Sequence, residues 1–318
     1  MYDGFYKLTR KPFQLNSDND FFFKSEVHKR ALAYMRYGLT QGEGFIVITG
    51  TPGTGKTMLI KQLLGSINPQ KVTYGVIVSA QVGAEDILKV VAAALNLSYQ
   101  EDDKATLLGK LEQFFAAEAA QGKRVLLIVD EAQNLPKNSL EELRMLANFE
   151  RGGKTLLQLF LLGQNQFNKT LAQSDMEQFR QRVVATYQLK PLDEEQVKNY
   201  ILFRLKRAGW QQSPHFSDVA FEEIFAHSKG IPRKINTLCE RIMMLGFLDE
   251  LQVIDQAVVQ TVLADIAEEE LDDGEVGALP ANVNAAIAGS LEARVARLEN
   301  LLADLHKVLA AYQPLPEE

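Results

Sequence analysis

Residues Gly50-Thr51-Pro52-Gly53-Thr54-Gly55-Lys56-Thr57 satisfy the pattern G-x-x-x-x-G-K-[ST] at every fixed position. Each residue type has a reason to be there. Glycines let a loop wrap an anion with its backbone N–H groups, and the dipole of a following helix adds to the attraction. A lysine at this position reaches the β- and γ-phosphates of a nucleotide, and a threonine hydroxyl is a hard oxygen ligand for Mg²⁺. The pattern needs a strand before it and a helix after it. Phe45–Thr49 is a short apolar, β-branched run and Lys56–Leu64 has helical period, which puts Met58 in the first turn beside the phosphate site. A second apolar run, Val125–Val129, delivers Asp130 and Glu131 to its C-terminal end, where α/β sheets bind ligands. Asp130 is expected to share the Mg²⁺ with Thr57, and Glu131 to act as general base on the attacking water.

Three further signals complete the expected site. Leu156–Leu162 ends in Gly163-Gln164, so an amide emerges at a strand end, placed to align the water or touch the γ-phosphate, or simply to form a turn. Arg180 and Arg182 flank Gln181 ahead of the run Val183–Leu189, and either can serve the nucleotide of a neighbouring subunit. Arg233 opens a helix after Gly230-Ile231-Pro232, from which it can turn toward the phosphates. An arginine supplied between subunits requires a head-to-tail contact, which builds rings, arcs or filaments rather than two-fold dimers.

The elements that must hold these residues follow from periodicity. Five strand-like runs, 45–49, 72–79, 125–129, 156–162 and 183–189, alternate with helix-period segments at 56–64, 84–95, 106–120 and 139–149. In the last of these, Ser139 and Glu142 have capping-box spacing. Alternation of this kind predicts an α/β domain of three layers around a parallel sheet, over 45–192, after a lead-in of residues 1–44. From 193 to 265 only helical patterns follow, so an all-helical lid domain is expected. Residues 266–290 look like an acidic linker, and in 291–312 Leu291, Val295, Leu298, Leu302, Leu305 and Leu309 form a heptad seam, read either as a coiled-coil helix or as an amphipathic helix folded back on the body.

Composition narrows the function classes. With 318 residues, 46% apolar and 24% charged, the chain is globular over most of its length. Its net charge of −7 is concentrated in residues 266–318, which carry 11 acidic against 3 basic side chains, so the body is nearly neutral, which argues against one dominant basic surface for nucleic acid and leaves room only for a local groove of Lys and Arg. A single cysteine, Cys239, excludes an intramolecular disulfide, and four scattered histidines give no metal-ligand spacing. No run approaches the roughly 18 apolar residues of a membrane span, and Met1–Lys11 lacks the apolar core of a signal peptide, so a cytoplasmic location is expected.

In this order, the phosphate loop, Asp130-Glu131-Ala132-Gln133, Leu162-Gly163-Gln164, Arg180-Gln181-Arg182-Val183 and Gly230-Ile231-Pro232-Arg233-Lys234-Ile235-Asn236 resemble the AAA+ ATPases of the ExeA, or general secretion pathway protein A, type. Tyr6 to Phe13, Phe21-Phe22-Phe23 and Gly42-Glu43-Gly44-Phe45 resemble the lead-in of the same group. The resemblance covers about residues 1–265. It looks strongest to the ATPases encoded beside exosortase (PEP-CTERM) and exopolysaccharide-export genes, although Thr51-Pro52-Gly53 departs from the Glu-Val-Gly often found there and has the form common across AAA+ proteins. The resemblance implies ATP and Mg²⁺ as ligands, Gln164 as the sensor-1 residue, Arg233 as sensor 2 and Arg182 as the arginine finger. It also implies that Pro12 and Phe13 border the adenine pocket, the alternative for Phe13 being a core aromatic. Further implied are a ring or arc of identical subunits, and export or envelope-assembly partners, with peripheral attachment to the inner membrane. The competing expectation is a DNA-associated regulator similar to the transposition ATPases of the TniB or TnsC type. A third is a scaffold that binds ATP and scarcely turns it over.

Overall fold

Side-chain alternation along buried strands decides how the layers form. The computed structural model describes residues 2–16, 18–42, 44–78, 82–100 and 102–272. Among these the strands are β1 (Phe45–Gly50), β2 (Val72–Val78), β3 (Arg124–Asp130), β4 (Glu150–Arg151), β5 (Lys154–Thr155), β6 (Leu157–Gly163), β7 (Val183–Leu189), β8 (His215–Phe216) and β9 (Val253–Ile254). Five of them form a parallel sheet in the order β2-β3-β6-β1-β7. Phe45, Val47, Val125, Leu127, Val129, Leu159 and Leu161 face one side, packed beneath the helices Ala84–Ala94, Lys104–Ala120 and Lys137–Leu146. Ile46, Ile48, Leu126, Ile128, Phe160 and Leu162 face the other, against the helices Glu26–Gln41 and Lys56–Leu64. In β1, β3 and β6 both faces are buried, which is why these strands read as apolar runs, whereas the outer strands β2 and β7 are partly exposed. The three-layer architecture is as expected from the sequence.

Register gathers the strand ends that matter. Thr49 of β1 pairs with Gly163 of β6, and Val129 of β3 pairs with Leu161 of β6. Consequently the phosphate loop, Asp130-Glu131 and Gln164 leave the sheet side by side at its C-terminal edge.

Local details differ from expectation at two places. The capping box at Ser139 is not formed: the helix starts at Lys137 after Pro136, and Ser139 is buried with its hydroxyl donating to the carbonyl of Val82 at 2.8 Å. The real capping box is at Asp193, whose side chain accepts from the N–H of Gln196, opening the helix Glu194–Arg207. The helices Asp218–Ser228, Pro232–Leu248 and Gln256–Asp272 follow. This region is not purely helical, because β8 and β9 form a short parallel pair within it.

Residues Met1–Leu263 make one compact unit; of the second, from Ala264 on, the described part is the end of the last helix. That helix continues to Asp272, through glutamates that the sequence places in the linker. The remainder of the linker and the heptad seam at 291–312 lie outside the described residues.

The lead-in divides between two surfaces. Residues 2–14 dock on the helical region: Tyr2 Oη donates to Glu240 at 2.6 Å, Tyr6 Oη to the carbonyl of Leu251 at 2.9 Å, and the N–H of Thr9 to the carbonyl of Ala208 at 2.8 Å. Farther on, Phe22 packs edge-to-face on His28 and joins the sheet core, whereas its neighbour Phe23 packs on Tyr200 and Phe203. The phenylalanine run is therefore a seam between the sheet layer and the helices that follow it.

Candidate active site

The phosphate loop is shaped by backbone that only glycine adopts without strain. Gly53 and Gly55 have φ of +85° and +99°. Both are also crowded: a Cβ on Gly53 would lie 2.7 Å from Cβ of Arg233, and one on Gly55 would lie 3.0 Å from Nε2 of His28. The helix begins at Lys56, whose buried ammonium donates to the carbonyls of Gly50 at 3.0 Å and Thr51 at 3.3 Å. Burial pulls the Lys56 pKa down, while the nearby carboxylates Glu131 and Asp130 act in the opposite direction. Thr57 Oγ1 donates to Asp130 Oδ2 at 2.8 Å. Burial raises the Asp130 pKa, an effect that the Thr57 hydroxyl and the Glu131 N–H oppose. Two adjoining hard oxygen donors, one from the loop helix and one from β3, match the ligand preference of Mg²⁺ and not that of softer metals.

Glu131 turns away from the strand in a left-handed conformation, φ +54°. Its N–H donates to Asp130 Oδ1 at 3.0 Å, and its carbonyl accepts from the N–H of Asn134 at 2.9 Å, which together hold the turn. Glu131 Oε2 accepts from Gln133 Nε2 at 2.6 Å and from Gln164 Nε2 at 3.3 Å. Gln164, at the end of β6, thus stands beside the expected base.

Lys56, Thr57 and Glu131 line a cavity of about 330 Å³, whereas Asp130, Gln133 and Gln164 are not in its wall and reach it through Thr57 and Glu131. The loop residues Gly53 to Met58 and Glu131 form one part of the wall, His28 and the lead-in residues Leu15, Asn16, Asp18 and Phe21 to Phe23 another, and Tyr200, Arg204, Pro232, Arg233 and Asn236 the rest. An anion-ready loop at one end and aromatic, apolar side chains at the other suit a nucleotide. Arg233 is where the sequence expects it, and its backbone N–H donates to the carbonyl of Gly53 at 3.2 Å. Pro12 and Phe13 are not in the wall. Phe13 is fully buried as a core aromatic, and Pro12 contributes its carbonyl to Arg204, because residues 2–14 are committed to the helices rather than to the cavity.

Arg182 and Arg180 are remote from this cavity in their own chain. The carbonyl of Arg182 accepts from the N–H of Phe45, at the start of β1, whereas the phosphate loop begins at its end. Strand rise separates those ends by roughly 17 Å. Arg182 donates to Asn148 Oδ1 at 2.5 Å, and Arg180 to the carbonyls of Leu171 and Gln173 at 2.5 and 2.6 Å.

Three site residues carry no local signal in the sequence. His28 Nδ1 lies 2.6 Å from Ser25 Oγ and its Nε2 lies 3.0 Å from the carbonyl of Thr54, so the ring braces the phosphate loop, and burial lowers its pKa. Arg204 is buried in the cavity wall and donates to the carbonyls of Pro12 and Gln14. Gln133 touches both Glu131 and Gln164; the motif Asp-Glu-Ala-Gln contains it, but spacing alone assigns it nothing.

Comparison with known proteins agrees with this geometry. Residues 39–171 match the family described as the AAA domain. General secretion pathway protein A of Aeromonas hydrophila is 38% identical over 248 residues, which are 78% of this chain and 45% of that protein. The chain thus spans about half the length of the curated relative it matches. Among solved structures, the Aeropyrum pernix ORC2 protein in its ADPNP-ADP complexes is similar with a TM-score of 0.60 at 14% identity, over 80% of this chain and 71% of that one. Cdc6p from Pyrobaculum aerophilum gives 0.56 at 17% identity, over 74% and 68%. These two likenesses show the fold alone. With an AAA domain match over residues 39–171, that fold and a complete phosphate loop facing an Asp-Glu strand end, the chain has the P-loop NTPase fold of AAA+ proteins.

Proposed function

We propose that the protein binds ATP with Mg²⁺ in this cavity, hydrolyses it with Glu131 as general base, and uses the cycle to assemble or regulate a bacterial envelope secretion system. The observation that carries the catalytic part is the convergence, at one sheet edge, of Lys56, the Thr57–Asp130 pair and the Glu131–Gln164 pair. Lys56 exchanges the loop carbonyls for β- and γ-phosphate oxygens. Thr57 and Asp130 would hold Mg²⁺, which would supply charge neutralisation to the phosphates. Glu131 takes a proton from the attacking water, and Gln164 orients that water and contacts the γ-phosphate. Arg233 reports phosphate occupancy to the helical region, taken as a lid over about 193–265. The region is tied to the end of the sheet layer at Leu192, whose N–H donates to the carbonyl of Gly230 at 2.9 Å. Gly230 has φ +70°, and a Cβ there would lie 1.8 Å from the carbonyl oxygen of Leu192.

Arg182 is the finger, acting on the nucleotide of the next subunit in a ring or arc. Its remoteness from its own cavity supports a role in trans, and Arg180 is the more committed of the two to backbone carbonyls of its own chain. The secretion role is supported by the similarity to general secretion pathway protein A, and we assign the exosortase-associated, exopolysaccharide-export branch on the motif resemblance alone. Work at the cytoplasmic side of the inner membrane is part of this proposal; among the described residues no helix is long and apolar enough to cross a membrane. The DNA-associated alternative gains nothing from the origin-recognition structures, which share only the fold.

Two variants test the site. Lys56→Ala removes the charge-assisted phosphate contact and is expected to lose tight ATP binding in a calorimetric titration. Glu131→Gln is expected to bind ATP normally and hydrolyse it at least about 100-fold more slowly, as loss of a general base implies. Unchanged affinity in the first, or near wild-type turnover in the second, overturns the assignment. The ATP-trapped Glu131→Gln protein is then the bait for the secretion role: recovery of inner-membrane export components supports it, whereas salt-sensitive retention of DNA alone refutes it.

A further inference from the structure

We propose that Gln133 is a positioning residue for ATP hydrolysis, which holds one oxygen of the Glu131 carboxylate so that the other is presented to the attacking water. The inference rests on Glu131 being the base. Gln133 lies in a single 3₁₀ turn, Ala132–Asn134, anchored by the fully buried Ala132. The orientation of its amide is fixed by what surrounds it. The backbone N–H of Gln164 points at Gln133 with a separation of 2.9 Å and requires an acceptor, so that atom is Oε1. Nε2 then faces Glu131 Oε2, and the separation of 2.6 Å is that of a charge-assisted bond. Space for this bridge is made by Gly163, where a Cβ would lie 3.1 Å from Gln133 Oε1.

The second amide, Gln164 Nε2, converges on the same Oε2 at the longer distance of 3.3 Å. Among the described residues no hydrogen bond is made to Glu131 Oε1. One carboxylate oxygen is thus clamped and the other is left for substrate, a division that a base needs in order to keep its lone pair aimed. The bridge also ties the base on the β3 turn to the end of β6, so Glu131 and Gln164 keep their relative places as a unit. The Gln133 amide provides the shorter of the two bonds to the base, and it sits outside every position that motif spacing picks out.

The test measures kcat, KM and ATP affinity for Gln133→Glu and Gln133→Met, each in the wild-type and Glu131→Gln backgrounds. Gln133→Glu keeps an acceptor for the Gln164 N–H and loses the donor to Glu131; Gln133→Met loses both without adding charge. Both are expected to lower kcat about 10- to 100-fold with KM and ATP affinity within about twofold, the signature of a misplaced catalytic group. In the Glu131→Gln background neither is expected to reduce the residual rate further, since the group they position is already gone. Wild-type kcat in Gln133→Glu would show that only the bond to Gln164 matters and overturn the proposal. An equal fold loss in both backgrounds would also overturn it, because Gln133 would then act elsewhere. If Glu131→Gln by itself turns over normally, the base assignment fails and this inference falls with it, an outcome distinct from the other two.

Discussion

Replacing Arg204 with Met probes the staple that joins the lead-in to the helical region. Arg204 is 6% exposed, and its partners among the described residues are two carbonyls, a phenol and two aromatic rings, none of them anionic. Nε donates to Pro12 at 2.5 Å, Nη2 to Gln14 at 3.1 Å and Nη1 to Tyr200 Oη at 2.9 Å, and the guanidinium stands 4.9 Å from the Phe21 ring centroid. Methionine fills similar apolar space but donates nothing. Tyr200 keeps its bond to Asn236, and Gln14 is exposed enough to regain water, so the main orphan is the buried carbonyl of Pro12. An unsatisfied buried acceptor costs about 1–3 kcal/mol. Loss of the contact with Phe21 adds about 0.5–1 kcal/mol. The expected destabilisation is therefore about 1.5–4 kcal/mol. Arg204→Lys should cost more, because it keeps a buried charge while a single ammonium cannot reproduce the planar fork that spans two carbonyls. Trp210, the single tryptophan, follows directly after the helix that carries Arg204 and donates from its indole to the carbonyl of Pro214, so urea unfolding followed by its fluorescence reads the relevant region. A change within about 0.5 kcal/mol for Met, below the ordinary range for a buried polar loss, refutes the reasoning. So does a lysine variant more stable than the methionine one.

His28 gives a pH signature: because burial holds its folded-state pKa below the ordinary value, the unfolded chain binds the proton more readily. Its contribution to stability is complete above about pH 6.5 and declines as the pH falls toward the lowered folded value. Unfolding free energies measured from pH 7.5 to 5 should show this slope in the wild type and a shallower one in His28→Gln; equal slopes refute it. For the arginine finger, mixing inactive Arg182→Ala with inactive Glu131→Gln should restore turnover at interfaces that combine an intact base with an intact finger. If co-assembled mixtures never exceed their components, the finger does not act in trans.

Residues close in sequence announced the centre of this site. The phosphate loop needs fixed spacing within eight residues, and Asp130-Glu131 needs only an apolar strand immediately before it, so both could be read without any long-range contact. The inner strands β1, β3 and β6 were legible for a related reason: burial on both faces leaves an apolar run, which is a local property of the chain, whereas the outer strands β2 and β7 are only partly buried. The failures share the opposite character. Ser139 has the spacing of a cap, yet its hydroxyl answers the carbonyl of Val82, 57 positions away. Phe13 stands in a lead-in associated with the nucleotide, yet residues 2–14 found better burial and hydrogen bonds on helices about 190 residues later, as the Arg204 bonds to Pro12 and Gln14 show. His28, Arg204 and Gln133 each join segments whose meeting no periodicity encodes. Sequence determined which residues can bind phosphate and metal, because that chemistry is carried by short motifs. Tertiary structure alone decided which side chains brace the loop, aim the base and close the cavity, because those roles depend on distances set by the packing of elements remote in the chain.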